Sequence, residues 1–397
     1  MINIIDLFSG CGGLTEGFLQ TKNFKTLAAV DWELQTVRTL KSRLSNKWGY
    51  QSLDNKILHF DIQRTDELIN GFDDPVFGKS KGLDQLVGEN KVDIIIGGPP
   101  CQAYSIAGRV RDKNGMKDDY RNFLFESYVK IVKKYEPKYF VFENVEGMLS
   151  AKPGGIPIVN RIRKSFQKIG YDLSDDLRKD ALFDISFYKV PQRRKRVIIF
   201  GVRKDKKSKQ TVQNFYKILN SFKSEKPKTL KGVFRKLPKF YPLKTPSDRV
   251  SHETKSKTKI KNHQPRFHND RDIRIFRLLS NDILNGEEKY TSSKSLIEIY
   301  KKFTGRESKF HKYNVLREDK PSNTIPAHLY KDGLRHIHPD PLQARSITVR
   351  EAARIQSFDD DFEFLGSRGD QYKMIGNAVP PAFSKKIAEV ILNLYNE

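Results

Sequence analysis

Cysteine is almost missing from this chain: Cys11 and Cys101 are the 2 thiols among 397 residues. Two cysteines cannot supply a disulfide framework or a cysteine-based zinc site, and the scarcity fits a reducing cytoplasm. Long apolar runs are missing too. Nothing approaches the roughly 20 consecutive apolar residues that cross a bilayer. "MINIIDLFSG" has neither the basic start nor the extended apolar stretch of a secretory leader. The 8 histidines are scattered, with no spacing that gives a metal geometry. They are read as polar surface residues, and no metal is expected.

Acidic residues are the other shortage. Against 73 Lys and Arg stand 48 Asp and Glu, which leaves +25. The excess is concentrated, since residues 204–340 hold 33 basic and 15 acidic side chains, a net of +18. An imbalance of this size points to a polyanion. A membrane surface would attract it as well, but no basic amphipathic helix with an aromatic apolar face is visible. Nucleic acid is the expected partner.

What is present in the first two hundred residues is alternation. "INIIDLF", "TLAAVDW", "KILHFDI", "VDIIIGG", "KYFVFENV" and "RVIIFGV" read as strands, with helical patterns such as "FLFESYVKIVKKY" between them. This predicts an α/β fold with a parallel sheet covered on both faces. After Val202 the charge run "RKDKKSKQ" opens a basic, weakly periodic region in which "DIRIFRLLSNDILNG" predicts one amphipathic helix. Two further helices, "TVREAARIQSF" and "AFSKKIAEVILNLY", return to the globular pattern, and the last is expected to pack on the first domain. The predicted division is 1–203 plus 345–397 for one domain and 204–344 for a second, smaller one.

Several strand ends carry chemistry. "DLFSGCGGLTEGF" places glycines between a strand and a helix, where the backbone can approach a ligand closely. Asp31 and Trp32 end the next strand and Asp61 the one after. Carboxylates there can accept ribose hydroxyls or bond an amine, and an indole can stack on a purine, so a nucleoside-bearing cofactor is expected. Cys101 follows Gly97-Gly98-Pro99-Pro100, a turn that presents the thiol at a strand end. A thiol with an ordinary pKa near ~8.5 needs a cationic setting to ionise, and Arg109, Arg111, Arg194 and Arg196 are candidates for it. The following "SIAGRVRDKNGMKDDYRN" has the polar, glycine-punctuated character of a lid. Glu143 and Asn144 follow an apolar strand, where a carboxylate can act as a general acid or bond a base edge. Gln192, Arg194 and Arg196 alternate as a strand begins, so they share one face.

Taken in chain order, "DLFSGCGGLTEGF", "GGPPCQAYS", "ENVEGM", "QRRKRVIIFGV", "TVREAARIQSF" and "IGNAVPP" resemble the cytosine-C5 DNA methyltransferases of bacterial restriction–modification type. The resemblance runs from residue 6 to residue 381 and omits only about 204–340, where that family carries its variable target-recognition domain. It implies a Rossmann-like sheet that binds S-adenosylmethionine over Phe8, Gly10 and Gly12. Asp31 would take the ribose hydroxyls, Trp32 would face the adenine, and Asp61, beside Ile62, would bond its amine. Pro100, Leu124, Asn377 and Val379 would complete the pocket. Cys101 would attack C6 of a cytosine flipped out of duplex DNA. Glu143 would hold N3, Arg194 with Arg196 would clamp the base, and Gln102, Ser105, Asn144 and Gln192 would contact the substrate. A monomer is the default expectation, because one enzyme flipping one base needs no symmetry, and a cognate restriction endonuclease acting on the same site is a possible partner.

The chain departs from the family pattern in three places. Lys189 stands where the family often has Gly before "VPQ", Asp31 stands where Glu is common, and Gln63 to Lys91 is long for the link between two strands. The alternatives are the tRNA-methylating branch of the family and a non-catalytic DNA-binding relative. The first tends to have Pro-Phe-Thr where this chain has "AYS". The second should have lost Cys101, Glu143, Arg194 or Asn377. A dinucleotide oxidoreductase is excluded by the glycine spacing.

Overall fold

The computed structural model describes residues 1–100 and 124–396, apart from 246, 248 and 332. Strand β1 (Ile2–Leu7) is buried along its last four residues, as an apolar run inside a covered sheet must be. The chain continues through β2 (Phe24–Asp31) and β3 (Ile57–His59). A small antiparallel hairpin follows, β4 (Phe72–Asp74) and β5 (Gly78–Ser80). Then come β6 (Ile94–Gly97), β7 (Tyr139–Val145), β8 (Tyr171–Asp172), β9 (Leu182–Asp184) and β10 (Lys195–Arg203). The main sheet runs β3-β2-β1-β6-β7-β10-β8, with β9 against β10.

The sheet is mixed, not parallel throughout as the strand–helix alternation predicts. β3, β2, β1, β6 and β7 are parallel neighbours, whereas β10 is antiparallel to β7, β8 and β9. Alternation reports that a strand is buried but not which way it enters, and β10 arrives from the opposite end. The order reverses between β1 and β6. Each of the first three strands is laid outward on one side, and β6 then returns to the other side of β1. In an open α/β sheet the crevice at such a switch point is where ligands bind. The glycine turn after β1 and the Gly-Gly-Pro-Pro turn after β6 both open there.

The long link Gln63 to Lys91 adds no strand to the main sheet. It folds as the hairpin β4–β5 between the helices Thr65–Asn70 and Gly82–Val87. The predicted terminal helix is Pro381–Asn396, and it packs on the helix Gly13–Leu19, as expected. Ser384 Oγ donates to Leu14 O at 2.6 Å. A Cβ at Gly17 would lie 2.4 Å from Ser384 Cβ, and one at Gly13 would lie 2.3 Å from Val379 O. Gly17 is therefore fixed by the terminal helix and Gly13 by the segment that leads into it.

The chain divides into two compact units, residues 1–189, 194–226 and 378–397 in one, and 190–193 and 227–377 in the other. The limits differ from those drawn on charge. Residues 204–226 stay with the sheet because the helix Ser208–Ser221 buries Val212, Phe215, Tyr216 and Leu219, with Phe215 stacked 4.0 Å from Phe200. Residues 345–377 join the second unit through buried polar ties. Arg350 donates to Lys261 O (3.1 Å) and Thr348 Oγ1 bonds His263 Nδ1 (2.9 Å), while within the segment Arg345 grips both carboxylate oxygens of Glu351 at 2.7 Å. The second unit's apolar core joins the helix Asp270–Leu284, predicted from its periodicity, to the helix Ser293–Thr304, Tyr313 and Ile337. Here the reading of histidine fails. His252, His263, His268, His336 and His338 are all at most 4 % exposed, because side chains far away in sequence close over them. His263, for example, bonds Thr348 Oγ1 at 2.9 Å and Pro238 O at 2.8 Å.

Lys189 has φ +64°, in the left-handed region that suits glycine. The family's usual Gly at this place has a conformational reason that Lys does not meet. Lys189→Gly is expected to raise stability by up to about 1 kcal/mol, since relief of the left-handed strain exceeds the added freedom of the unfolded chain. Thermal unfolding of the two proteins would check it, and a lower midpoint for the glycine variant would refute the strain argument.

Candidate active site

The glycine turn is built from left-handed residues: Phe8 at φ +59°, Gly10 at +54° and Gly12 at +88°. Gly12 N donates to Ser9 O and Ser9 N to Val30 O, which folds the turn back against β2. Asp31, the last residue of β2, takes hold of the turn through its side chain. Its Oδ2 accepts from Gly10 N at 2.8 Å, while Oδ1 accepts from Glu33 N and Thr36 Oγ1, both at 2.8 Å. Burial raises the Asp31 pKa, and the hydrogen bonds from Glu33, Thr36 and Gly10 oppose that rise. The shorter aspartate arm keeps the carboxylate directly against the turn.

Among the described residues nothing lies within 4 Å of where a Cβ on Gly10 would stand. Trp32 beside it is 58 % exposed. Asp61 accepts from Gln63 N at 3.0 Å, and Ile62 is buried beneath it. A backbone cradle, two carboxylates and an uncovered indole at the carboxyl ends of three adjacent strands suit an adenosine. Asp6 lies underneath, wholly buried, accepting from Thr15 Oγ1 at 2.5 Å. Burial lifts its pKa to about 7. Sequence reading did not single this residue out, since a carboxylate inside a strand pattern looks like the solvent side of that strand.

On the other side of the switch point, β6 ends at Gly97. A Cβ there would lie 2.2 Å from Leu7 O, and one on Gly98 would lie 2.6 Å from Glu143 Oε2. The Gly-Gly pair therefore lets the turn press against both β1 and the carboxylate of Glu143. Asn144 Nδ2 donates to Pro99 O at 3.2 Å, and Asn144 Oδ1 accepts from Val145 N at 2.9 Å. Asn144 thus braces the turn from the end of β7. Pro99 is buried and Pro100 exposed. Cys101, Gln102, Ser105, Arg109, Arg111 and the expected lid lie outside the described residues. Leu124, also assigned to the pocket, is buried at the start of the helix Leu124–Tyr135.

Glu143 is 9 % exposed and receives Arg196 Nε at 2.7 Å. The antiparallel register of β10 against β7 pairs Ile198 with Glu143 and Arg196 with Val145. This brings the guanidinium level with the carboxylate. Burial raises the Glu143 pKa, and Arg196 and Arg194 oppose it. Arg194 is buried and donates from Nη2 to Ala378 O at 3.2 Å, so it holds the backbone of "NAVPP" within the same unit. Gln192 and Asn377 fall in the second unit. Gln192 is fully buried, and its Oε1 accepts from Ile325 N at 3.1 Å, while Asn377 is exposed at the end of the helix Arg368–Asn377. Among the described residues no group of three or more His, Cys, Asp or Glu could hold a metal. No helix among them is long and apolar enough to cross a membrane.

Residues 2–393 match the family described as C-5 cytosine-specific DNA methylase. The chain belongs to that family. Among curated relatives of this methylase, the Type II methyltransferase M.Bpa9945I of Bacillus paralicheniformis is 35% identical, over 99% of each chain. The Type II methyltransferase M1.HphI of Haemophilus parahaemolyticus is 29% identical, over 99% of this chain and 87% of its own. A solved structure described as a DNA modification methyltransferase encoded within an E. coli prophage superposes over all of both chains. Its TM-score is 0.65 at 22% identity, and it shares the fold of this methylase. The Rossmann-like architecture expected from the motifs is therefore the architecture observed, with the mixed edge described above.

Proposed function

We propose that this DNA methyltransferase modifies C5 of a cytosine swung out of duplex DNA, through a covalent adduct on Cys101, as the modification half of a Type II restriction–modification pair. The observation that carries the reading is the placement of Glu143. Its buried carboxylate sits against Gly98 of the turn that leads into Cys101, with Arg196 bound to it at 2.7 Å. The relatives' names, Type II methyltransferases, support the biological setting, and the pairing with an endonuclease acting on the same site is part of this proposal.

Each group has a part. The Cys101 thiolate forms a bond to C6, which pushes negative charge toward the N3 side of the ring. Glu143 faces N3; burial favours its protonated form, so it shares a proton with N3 as that charge develops. Arg196 fixes the carboxyl and Arg194 the backbone that closes the site. Phe8, Gly10 and Gly12 would hold S-adenosylmethionine, with Asp31 for the ribose, Asp61 for the adenine amine and Ile62, Pro100, Leu124 and Val379 around it; it would supply an electrophilic methyl group and leave as S-adenosylhomocysteine. After C5 is methylated, loss of its proton releases the electrons that break the C6–S bond and free the enzyme. The basic segment of 204–344 contacts duplex phosphates and selects the target sequence.

Glu143→Gln keeps the shape but cannot give a proton, so kcat is expected to fall by about 10²-fold while cofactor affinity changes little. Single-turnover methylation would check it, and an unchanged rate would remove Glu143 from the chemistry. The reading as a whole is tested by offering labelled S-adenosylmethionine with duplex DNA and with tRNA in parallel, then identifying the labelled nucleoside by mass. Label in 5-methyldeoxycytidine is the expected result. Label only in 5-methylcytidine would assign the enzyme to RNA instead.

A further inference from the structure

The link from Gln63 to Lys91 is longer than two strands of the sheet require, and its hairpin is anchored toward one residue. At its base, Phe72 stacks on Phe60 with ring centres 3.9 Å apart and planes at 19°. At its turn, Asp74 Oδ1 accepts from Val76 N (2.8 Å) and Phe77 N (3.0 Å), while Oδ2 accepts Arg64 Nη1 at 2.6 Å. The guanidinium of Arg64 lies over Phe60 at 4.9 Å and over Phe77 at 6.0 Å. The turn is therefore rigid, and what it presents is the ring of Phe77. That ring meets Trp32 (5.6 Å, 62°), His59 (5.0 Å, 63°) and Phe60 (5.2 Å, 64°), each edge to face. His59 completes the frame by bonding Trp32 O through Nε2 at 2.9 Å.

Trp32 needs such a frame. It follows Asp31 directly and is 58 % exposed, so its backbone is held but its indole has no covering core. An indole that swings freely loses rotamer freedom when a purine docks on it, and a braced one has lost that freedom already. We propose that Phe77 is a positioning residue for the cofactor: it holds the indole of Trp32 in the attitude that receives the adenine, and the hairpin β4–β5 exists to deliver it. The inference rests on the assignment of S-adenosylmethionine to this pocket. An edge-to-face pair of this kind corresponds to an effect of about 5–10-fold on binding.

The test titrates the full chain with S-adenosylhomocysteine by calorimetry and measures methylation kinetics. Phe77→Ala should weaken binding about 5–10-fold and raise the KM for S-adenosylmethionine by the same factor, with kcat at saturation unchanged; Phe77→Tyr should restore both. The deciding comparison is a double-mutant cycle. In a Trp32→Ala background, Phe77→Ala should add less than about twofold. An equal loss in both backgrounds would mean that Phe77 acts through general stability, and would overturn the proposal. So would wild-type binding by Phe77→Ala when Trp32→Ala binds weakly. If Phe77→Ala does not fold, Phe77→Leu keeps the bulk without the ring and runs the same cycle. Wild-type binding by both Trp32→Ala and Asp31→Ala would instead refute the pocket assignment itself, and the proposal with it.

Discussion

Cys101→Ala is expected to abolish methyl transfer, by at least about 10⁴-fold, in a protein that still binds duplex DNA and S-adenosylmethionine. A nucleophile that forms the covalent bond has no partial substitute, and losses of this order follow its removal elsewhere. The chain offers no second thiol to take over. Cys11 is 2 % exposed beneath the glycine turn, and burial pushes its thiol well above the usual range, further raised by Asp31 nearby. The turn that ends in Cys101 is set by groups the substitution does not touch: Gly97 against Leu7 O, Gly98 against Glu143 and Pro99 O bonded by Asn144. Binding should therefore survive. Gel shift, calorimetry and label transfer on one preparation would check all three parts. Turnover within about tenfold of wild type would sink the covalent mechanism, and loss of binding along with transfer would point to a collapsed site.

The strand ends were legible because their information is local. A glycine turn, an acidic residue at the end of each of two strands and a Gly-Gly-Pro-Pro turn each announce themselves within a few residues. The sheet then places them side by side at its switch point. What makes them a site is not local. The pairing of Glu143 with Arg196 comes from an antiparallel register between strands 50 residues apart, which alternation alone cannot predict. Gly13 and Gly17 look like part of a ligand cradle, yet Gly13 is fixed by the backbone of Ala378–Val379 and Gly17 by the terminal helix. The hairpin was visible only as excess length, because two three-residue strands carry too little pattern to announce themselves. In the second unit even polarity misleads, since five of its seven histidines are buried.

Those five buried histidines are expected to make the second unit acid-labile. Burial holds His252 and His336 down to about 4 and His338 to about 3; Arg345 also lowers His252 and His338. His263 and His268 are lowered in the same way, burial again being the main cause. A histidine that protonates more readily when unfolded costs the fold nothing above its unfolded pKa of about 6.5. It costs progressively more as pH falls below that value, until the folded pKa is reached. Each of the first three contributes about 2 kcal/mol of lost stability between pH 7 and pH 5, so together they would remove about 6 kcal/mol from residues 227–377. The Arg345–Glu351 pair adds nothing in this window. The lowered carboxylate of Glu351 loses its stabilising effect only below its unfolded value of 4.5. In the first unit the sign is opposite. Asp6, lifted to about 7, takes up a proton in the folded state as pH falls, and Asp31 and Glu143 are shifted the same way. Acid therefore weakens one unit while relieving the other. Hydrogen exchange followed by mass spectrometry at pH 7 and pH 5, corrected for the intrinsic rate, should show protection lost first across 227–377 and retained in β1, β2, β6 and β7. Equal loss in both units, or none in the second, would show that these histidines are not held neutral by burial.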